Sequence, residues 1–600
     1  MCGIVGYIGK RNCLPILMEG LKNLEYRGYD SAGVAYLNND EIKLVKSVGR
    51  IKNLINKIDE IDDMEKDSIC GIGHTRWATH GKVNELNSHP HQVGNITIVH
   101  NGIIENYLEI RNFLKNKGYS FYGNTDTEIA CAYIDYEYKN NLCKNMVKIL
   151  NKCAAKFAGS YAIVVMVDSI KDKLFVLKKD SPLIIARGED GNFIASDIMA
   201  FANETTEYVI LEDLDIGIID NNNILVYKGK KKKSLKYNSV DNNIIKENLG
   251  NYRHYMLKEI NEQKILVDKW NDFYLDKLED LVDLSKYDKI HILGCGTAYY
   301  AGLVGKYLLE NYADIEANVF IASEYRYQKL FVNKKTLVIA VSQSGETADT
   351  LACIKRVKEL GCKTLGIINV RNSSIARIVD EVIYTEACQE IAVASTKAYL
   401  SQIYTFSLLA VKIGIGKKIL NKKLIIGEYK KLANLIDKMI NLDYCLISRI
   451  LSRQEHIFYI GRGIDYLSML EGSLKIKEIS YIHSLVIESG ELKHGTISLI
   501  ENGSCVVCLI TDENLASKSI NNIKEIKARG AYVILLVNRK IFNIIEKDIY
   551  DNIIIIEDVH EVIRPLINII PLQLIAYYTA LKKGCDIDKP RNLAKSVTVE

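Results

Sequence analysis

Ile292-Leu293-Gly294-Cys295-Gly296 reappears 167 residues later as Tyr459-Ile460-Gly461-Arg462-Gly463. Each is an apolar run closing on a glycine turn, the pattern of a strand feeding a helix. A second pair keeps nearly the same spacing. Glu359-Leu360-Gly361 precedes an apolar run at 364–369, and Ala528-Arg529-Gly530 precedes one at 533–538, 169 residues on. Two nearly equal offsets mark two tandem copies of one parallel α/β unit, with a period far beyond that of a solenoid repeat.

In the first copy the apolar strand at 336–341 runs into Ser342-Gln343-Ser344-Gly345-Glu346-Thr347, and a helix is predicted over 349–360. A helix start offers free N–H groups and a partial positive charge. The hydroxyls of Ser342, Ser344 and Thr347 add donors. Three hydroxyls and a glycine exceed what a helix cap needs. The absence of a Walker lysine favours a phosphomonoester over a nucleoside triphosphate. The second copy carries Thr511-Asp512-Glu513-Asn514 at this turn. Its acidic side chains would repel phosphate, so that copy is expected to have lost the site. Gly294-Cys295-Gly296 lacks the third glycine of a dinucleotide fingerprint, Tyr299 standing there, and NAD is not expected.

The first 230 or so residues read differently. Strands are predicted at 2–8, 32–37, 69–74, 96–100, 161–168 and 173–178, with amphipathic helices at 104–117 and 127–138. That mixture is α+β with packed sheets. The polar stretch 229–243 reads as a linker. Cys2 follows the initiator Met directly. Removal of Met1 would leave a thiol and a free α-amine on one residue, a nucleophile with its own base.

Glu471, Lys475 and Glu478 share one stripe of a predicted helix. Their spacing by itself favours an exposed salt-bridge row over a proton-transfer group. His494, in Leu492-Lys493-His494-Gly495, is by itself expected to be structural. The end, 590–600, reads as a fraying tail, although a lysine such as Lys595 entering a closed site can form a Schiff base with a carbonyl.

The chain has 600 residues, 48% of them hydrophobic and 25% charged, which indicates three or four ordinary globular domains. A net charge of +4 is too mild to indicate nucleic acid, and the densest basic run, Lys230 to Lys233, reads as a solvated loop. No apolar run of about eighteen residues occurs, so no membrane span is expected. The N-terminus lacks the layout of a signal peptide, so the fourteen cysteines are expected to be reduced, in the cytoplasm. Cys505-x-x-Cys508 lies in an apolar run with no companion Cys/His pair and reads as buried strand rather than a metal or redox site.

Taken together, the motifs resemble the isomerising glutamine–fructose-6-phosphate aminotransferases, the glucosamine-6-phosphate synthase family. Cys2-Gly3-Ile4-Val5-Gly6, Tyr26-Arg27-Gly28-Tyr29-Asp30-Ser31, Thr75-Arg76-Trp77-Ala78-Thr79-His80-Gly81 and His100-Asn101-Gly102 match its glutaminase half. The 342–347 loop, Val393-Ala394-Ser395-Thr396-Lys397, the 491–495 segment and the last eleven residues match its isomerase half. The resemblance implies an α+β N-terminal-nucleophile (class II glutamine amidotransferase) domain at 2–235 and a linker at 236–250. Two tandem α/β SIS (sugar isomerase) domains with parallel sheets would follow at 285–420 and 445–585, then an active-site tail at 586–600.

It also implies roles. Cys2 would attack the glutamine amide while its amine carries the proton. Asn101 and the Gly102 N–H would hold the oxyanion. Arg76 and Asp126 would grip the glutamine carboxylate and ammonium, with Trp77, Thr79, His80 and His89 around them. Thr297, Ser342, Gln343, Ser344 and Thr347 would bind the phosphate of fructose 6-phosphate, and Val393 and Ser395 the sugar. His494, from a neighbouring subunit of an expected homodimer, would open the ring, and Lys595 would form an imine at C2. Glu478 would move a proton between C1 and C2, with Lys475 and Glu471 supporting the charge. The products would be glucosamine 6-phosphate and glutamate, the first step of amino-sugar biosynthesis. No metal or organic cofactor is needed.

Departures from the family pattern are Ala298 for a frequent Ser, Cys388, Gln389 and Ala392 around Glu390-Ile391, and Thr496 and Val83 for common prolines. Ala298 is expected to weaken phosphate binding without removing it. Rival readings are another class II amidotransferase, which would need a phosphoribosyltransferase half in place of the duplicated one, and a non-catalytic SIS sugar-phosphate sensor, which could lose Cys2, Glu478 or Lys595, all present here. A deglycase lacking glutaminase chemistry is excluded by the intact N-terminal set.

Overall fold

The computed structural model describes residues 2–62, 66–78, 81–205, 207–239 and 249–598. The chain divides into two compact units, Met1–Lys246 with Ala594–Glu600, and Glu247–Leu593.

The first unit is built on two antiparallel sheets. One runs, in spatial order, Asn238–Ser239, Glu207–Ile210, Ile184–Arg187, Gly191–Ala195, Gly3–Gly9, Cys70–Arg76, Ser31–Asn38 and Glu41–Val48. The other runs Lys231–Lys232, Ile224–Lys228, Asp215–Ile219, Ile170–Lys179, Gly159–Val167, Ile96–Ile104 and His91–Val93. Strand periodicity assigns their faces. Ala162 and Val164 join Ile4, Ile8 and Ile72 in the core between the sheets. Ile163 and Val165 instead face Ile129, Ala130 and Ile134 of the helix Asp126–Lys139. On the outer side of the first sheet, the helix Cys13–Asn23 buries Leu14, Leu17 and Leu21 against Val5 and Val34. Their spacing of three and four residues keeps them on one stripe. All six predicted strands and both predicted helices form.

Two expectations change here. Lys231–Lys232 is an edge strand paired with Tyr227–Lys228, and the Lys233 ammonium lies 2.9 Å from the buried Asp215 carboxylate, so the basic run is not a free loop. Asn238–Ser239 pairs with Glu207–Tyr208, which makes that part of the polar stretch sheet edge. Residues 240–248, within the expected linker, lie outside the described residues.

The second unit contains two five-stranded parallel sheets of one topology. The first runs Ala317–Ile321, Lys289–Gly294, Thr336–Ser342, Lys363–Ile368, Glu381–Tyr384. The second runs His483–Glu488, His456–Gly461, Cys505–Ile510, Tyr532–Asn538, Asn552–Ile556. The duplication extends to backbone angles. The helices Thr297–Ala313 and Ile464–Ser480 are both 17 residues long, entered through Gly296 (φ 54°, ψ −127°) and Gly463 (φ 53°, ψ −126°). Both end on a left-handed residue, Asp314 and Tyr481. Cys505 and Cys508 lie in one buried strand with their side chains in two different cores, as expected of strand rather than of a metal or redox pair.

Two helices, Lys397–Gly416 and Glu561–Lys583, are long and apolar enough to cross a membrane, but 89% and 94% of their apolar windows are buried inside the protein. They are core helices of this unit.

Candidate active site

In the first unit the ends of the interior strands Gly3–Gly9 and Cys70–Arg76 and the strand Ile96–Ile104 of the other sheet bring the N-terminal motifs together. The Cys2 thiol accepts the Trp77 N–H at 3.3 Å, and the Gly3 N–H donates to Thr75 Oγ1 at 3.2 Å. Asn101 Nδ2 donates to the Cys2 carbonyl oxygen at 3.0 Å. The predicted strand extends through Ile104, so Asn101 and Gly102 sit in the ladder rather than beyond it. Gly102 has φ +127°, and a Cβ there would lie 2.0 Å from the Ser160 carbonyl oxygen, so only glycine fits. Burial pushes the Cys2 thiol up, while the Trp77 N–H and Arg76 pull it down. The resting group is a thiol that needs a base.

Arg76 and Asp126 are both buried. Asp126 Oδ2 accepts the Ile104 N–H at 2.8 Å and lies 4.0 Å from His100 Nδ1. His89 stacks on His74, ring centroids 4.0 Å apart. Thr79 and His80 lie outside the described residues. The loop leading to them is pinned by Asp30, whose Oδ2 accepts the Ala78 N–H at 2.8 Å. A hydrogen bond to a charged group contributes about 1.5–3 kcal/mol. Asp30→Ala is therefore expected to lower kcat/KM for glutamine roughly tenfold or more, because the loop after Trp77 loses its anchor. Steady-state glutaminase kinetics check this, and an unchanged kcat/KM would show that Asp30 does not position the loop.

In the second unit the 342–347 turn folds on itself. The Ser342 hydroxyl accepts the Gly345 N–H at 3.0 Å and lies 3.1 Å from Thr347 Oγ1. Ser344 Oγ accepts the Glu346 N–H at 3.1 Å, and the Gln343 carbonyl accepts the Asn369 N–H at 3.3 Å. Gly345 has φ +64°, and a Cβ would meet Ser373 Oγ at 2.0 Å. The helix Ala348–Glu359 follows. The segment bearing Cys388, Gln389 and Ala392 is held by two buried carboxylates. Glu259 accepts the Ala392 N–H at 3.2 Å, and Glu390 accepts the Thr396 N–H at 2.8 Å and the Ser395 hydroxyl at 2.6 Å. The Val393 N–H donates to the Asp588 carbonyl at 2.9 Å.

The second copy answers its own turn from within. Asp465, one 167-residue offset from Ala298, accepts the Thr511 N–H at 2.7 Å and the Asp512 N–H at 3.4 Å, and also bonds the Thr511 hydroxyl. A carboxylate already occupies the donors that an anion would use. This supports the loss of phosphate binding expected from Asp512 and Glu513.

Glu471, Lys475 and Glu478 lie on the helix Ile464–Ser480 as predicted, but the exposed row is corrected: Glu471 and Lys475 are wholly buried. The Lys475 ammonium lies 3.1 Å from Glu471 and 2.6 Å from Glu478, and it donates to the Thr297 hydroxyl at 3.1 Å. Thr297 in turn donates to Glu471 at 3.1 Å, so its hydroxyl joins this cluster. Spacing alone could not reveal this cluster, because one of its members, Thr297, comes from the other copy. For Lys475, burial opposes the charge, but the two carboxylates outweigh it and hold the ammonium.

Burial pushes the Glu471 carboxyl up to about 7 against the pull of Lys475. Between the ordinary 4.5 and about 7, the folded protein keeps a proton that the unfolded chain has released. This group's contribution to stability is therefore full below its unfolded value and lost as pH rises through 7. Between pH 5 and pH 8 the wild type is expected to lose more Tm than Glu471→Gln, with a limiting slope of roughly 1.4 kcal/mol per pH unit. Scanning calorimetry at both pH values decides it: parallel losses in the two proteins would remove Glu471 as the titrating group.

His494 is exposed on a short 3-10 turn, Glu491–His494, and among the described residues it makes no hydrogen bond or ion pair. Lys595 is half-buried and groups with the first unit. Sequence reading gave no individual role to His74, Asp30, Glu390 or Asp465. One signal was present: five of the eleven histidines fall between residues 74 and 100.

Residues 75–203 match the glutamine amidotransferase domain family, and residues 283–412 and 450–583 match the SIS domain family. A glutamine–fructose-6-phosphate aminotransferase (isomerizing) from Caldanaerobacter subterraneus subsp. tengcongensis is 44% identical over the full length of both chains. One from Clostridium tetani is 46% identical over the same extent. Among solved structures, the C-terminal domain of glucosamine-fructose-6-phosphate aminotransferase from Francisella tularensis is similar, at a TM-score of 0.55 and 36% identity, over 57% of this chain and 100% of that one.

Proposed function

The chain belongs to the isomerising glutamine–fructose-6-phosphate aminotransferases, and from that premise we propose a role for each group described above. The enzyme uses glutamine to convert fructose 6-phosphate to glucosamine 6-phosphate, releasing glutamate. The glutaminase domain occupies 2–235, the SIS domains 285–420 and 445–585, and the active-site tail 586–600.

With Met1 removed, the Cys2 amine takes the thiol proton. The thiolate attacks the glutamine amide carbon, and Asn101 Nδ2 and the Gly102 N–H stabilise the oxyanion. Collapse expels ammonia and leaves a thioester, which water hydrolyses to glutamate and free thiol. Arg76 and Asp126 hold the two charged ends of glutamine, under a cover formed by Trp77, Thr79 and His80.

The 342–347 loop and Thr297 take the sugar phosphate, with Val393 and Ser395 on the sugar. His494 of a second copy opens the ring, which makes the working enzyme a homodimer. That His494 is exposed and, among the described residues, without a hydrogen-bond partner supports that assignment. Lys595 forms an imine with C2, losing water, and ammonia displaces the lysine. Glu478 then carries a proton from C1 to C2, turning the ketose imine into the 2-amino aldose. Lys475 and Glu471 set its charge. The reaction belongs in the cytoplasm, because Cys2 must stay reduced and a hexose phosphate is held there by its charge.

The observation that carries this reading is the placement of the Cys2 thiol on the Trp77 N–H with the Asn101 amide on its own carbonyl. The test is to quantify both products from glutamine and fructose 6-phosphate. Equal glutamate and glucosamine 6-phosphate are expected, and glutamate without amino sugar would overturn the roles given to the SIS domains.

A further inference from the structure

Around Asn101 lies a layer of buried histidines, His74, His89, His91 and His100. Its geometry fixes where the protons sit. His74 Nε2 lies 3.0 Å from the His100 carbonyl oxygen and 3.1 Å from Asn101 Oδ1. A backbone carbonyl can only accept, so Nε2 carries the hydrogen. The end of Asn101 that faces it is then the acceptor, and the amide NH2 points the other way, where it donates to the Cys2 carbonyl oxygen.

An asparagine amide has two ends of nearly equal size that differ only in hydrogen bonding. Turned over, Asn101 would set Oδ1 against the Cys2 carbonyl and against any oxyanion formed beside it. The tautomer of His74 is therefore a condition for an oxyanion donor at this place. The ring is braced from behind: His89 stacks on it at 15° between planes, and His89 Nδ1 accepts the His100 N–H at 3.3 Å. Burial pushes His74 down to about 3 and His89 well below the ordinary imidazole range, so both stay neutral at working pH.

We propose that His74 is a positioning residue for glutamine hydrolysis, its Nε2–H holding the Asn101 amide with the NH2 toward Cys2. This rests on the reading of Asn101 as an oxyanion donor. His89 acts one step further back, by holding the His74 ring in place.

The test uses the full-length enzyme with His74→Ala, His74→Gln, Asn101→Ala and the His74→Ala/Asn101→Ala pair. Glutaminase kcat and KM are measured alongside the rate of Cys2 alkylation by iodoacetamide, which needs no oxyanion donor. His74→Ala is expected to lower kcat by about 10²-fold, the size of a lost oxyanion donor. KM and the alkylation rate stay near wild type. The pair loses no more than Asn101→Ala alone, as for residues acting as one unit. His74→Gln, whose side-chain NH2 can donate to the same oxygens, recovers most of the rate.

Losses that multiply in the pair would overturn the proposal. So would kcat and alkylation collapsing together in both His74 variants, the mark of a merely structural ring. An impaired Asn101→Ala beside an unaffected His74→Ala would overturn the role of His74 alone. Wild-type kcat in Asn101→Ala would overturn the oxyanion reading on which it rests.

Discussion

Cys2→Ala is expected to abolish glutamine-dependent synthesis while leaving sugar-phosphate binding intact. Glutamate release should fall by a factor on the order of 10⁶, the loss seen when an acyl-transfer nucleophile is deleted. The reason is chemical rather than structural. In the role proposed for it the thiol is the nucleophile. Its removal gives up the Trp77 N–H contact to sulfur but leaves the backbone hydrogen bonds at this end, which run through the Cys2 carbonyl and the Gly3 N–H. The turn at 342–347, proposed to take the phosphate, belongs to the other compact unit and is closed by its own contacts. Calorimetric titration with fructose 6-phosphate should therefore give the wild-type Kd. A lost sugar affinity in this variant would show that the two sites do not work as separable chemistry, and substantial residual glutaminase would move the nucleophile elsewhere.

Lys475→Met should have the largest effect on stability. At pH 8, where Glu471 is ionised, it removes the cation lying between Glu471 and Glu478 and leaves Glu471 buried without a counter-charge. Breaking a buried ion pair by removing one partner costs about 3–5 kcal/mol, because the remaining charge stays desolvated. The thermal transition of the second unit should fall by several degrees and the first should not move, as followed by scanning calorimetry. The companion Lys475→Met/Glu471→Gln should recover part of the loss, since it removes the orphaned charge as well. Neither double variant nor pH 5 buffer should restore synthesis if Lys475 also sets the charge of Glu478. A Lys475→Met protein as stable as the wild type would mean that no ionised carboxylate is left stranded in the cluster.

Much of this protein could be read before its structure. The repeat of Gly294-Cys295-Gly296 in Gly461-Arg462-Gly463 specifies two copies of one unit, because a glycine at positive φ between strand and helix is a local requirement of the backbone. The strand at Cys505–Ile510 and the turn at 342–347 are legible for the same reason: hydrophobic period and turn chemistry act over a few residues. Family motifs added the chemistry of Cys2, Arg76 and Asn101, which stand in short runs of sequence.

What sequence could not supply were facts that depend on residues far apart in the chain. The hydrogen-bond partner that Glu471 and Lys475 share is Thr297, 174 and 178 residues away. The carboxylate that fills the second phosphate turn comes from Asp465, 46 residues before Thr511, and nothing in Thr511-Asp512-Glu513-Asn514 announces it. The proton on His74 is set by a carbonyl on the neighbouring sheet. Sequence by itself determined which elements form and which reactive groups the chain carries. Tertiary structure alone decided which of those groups leave water, and charge state and hydrogen-bond direction follow from desolvation and from partners that only folding brings near.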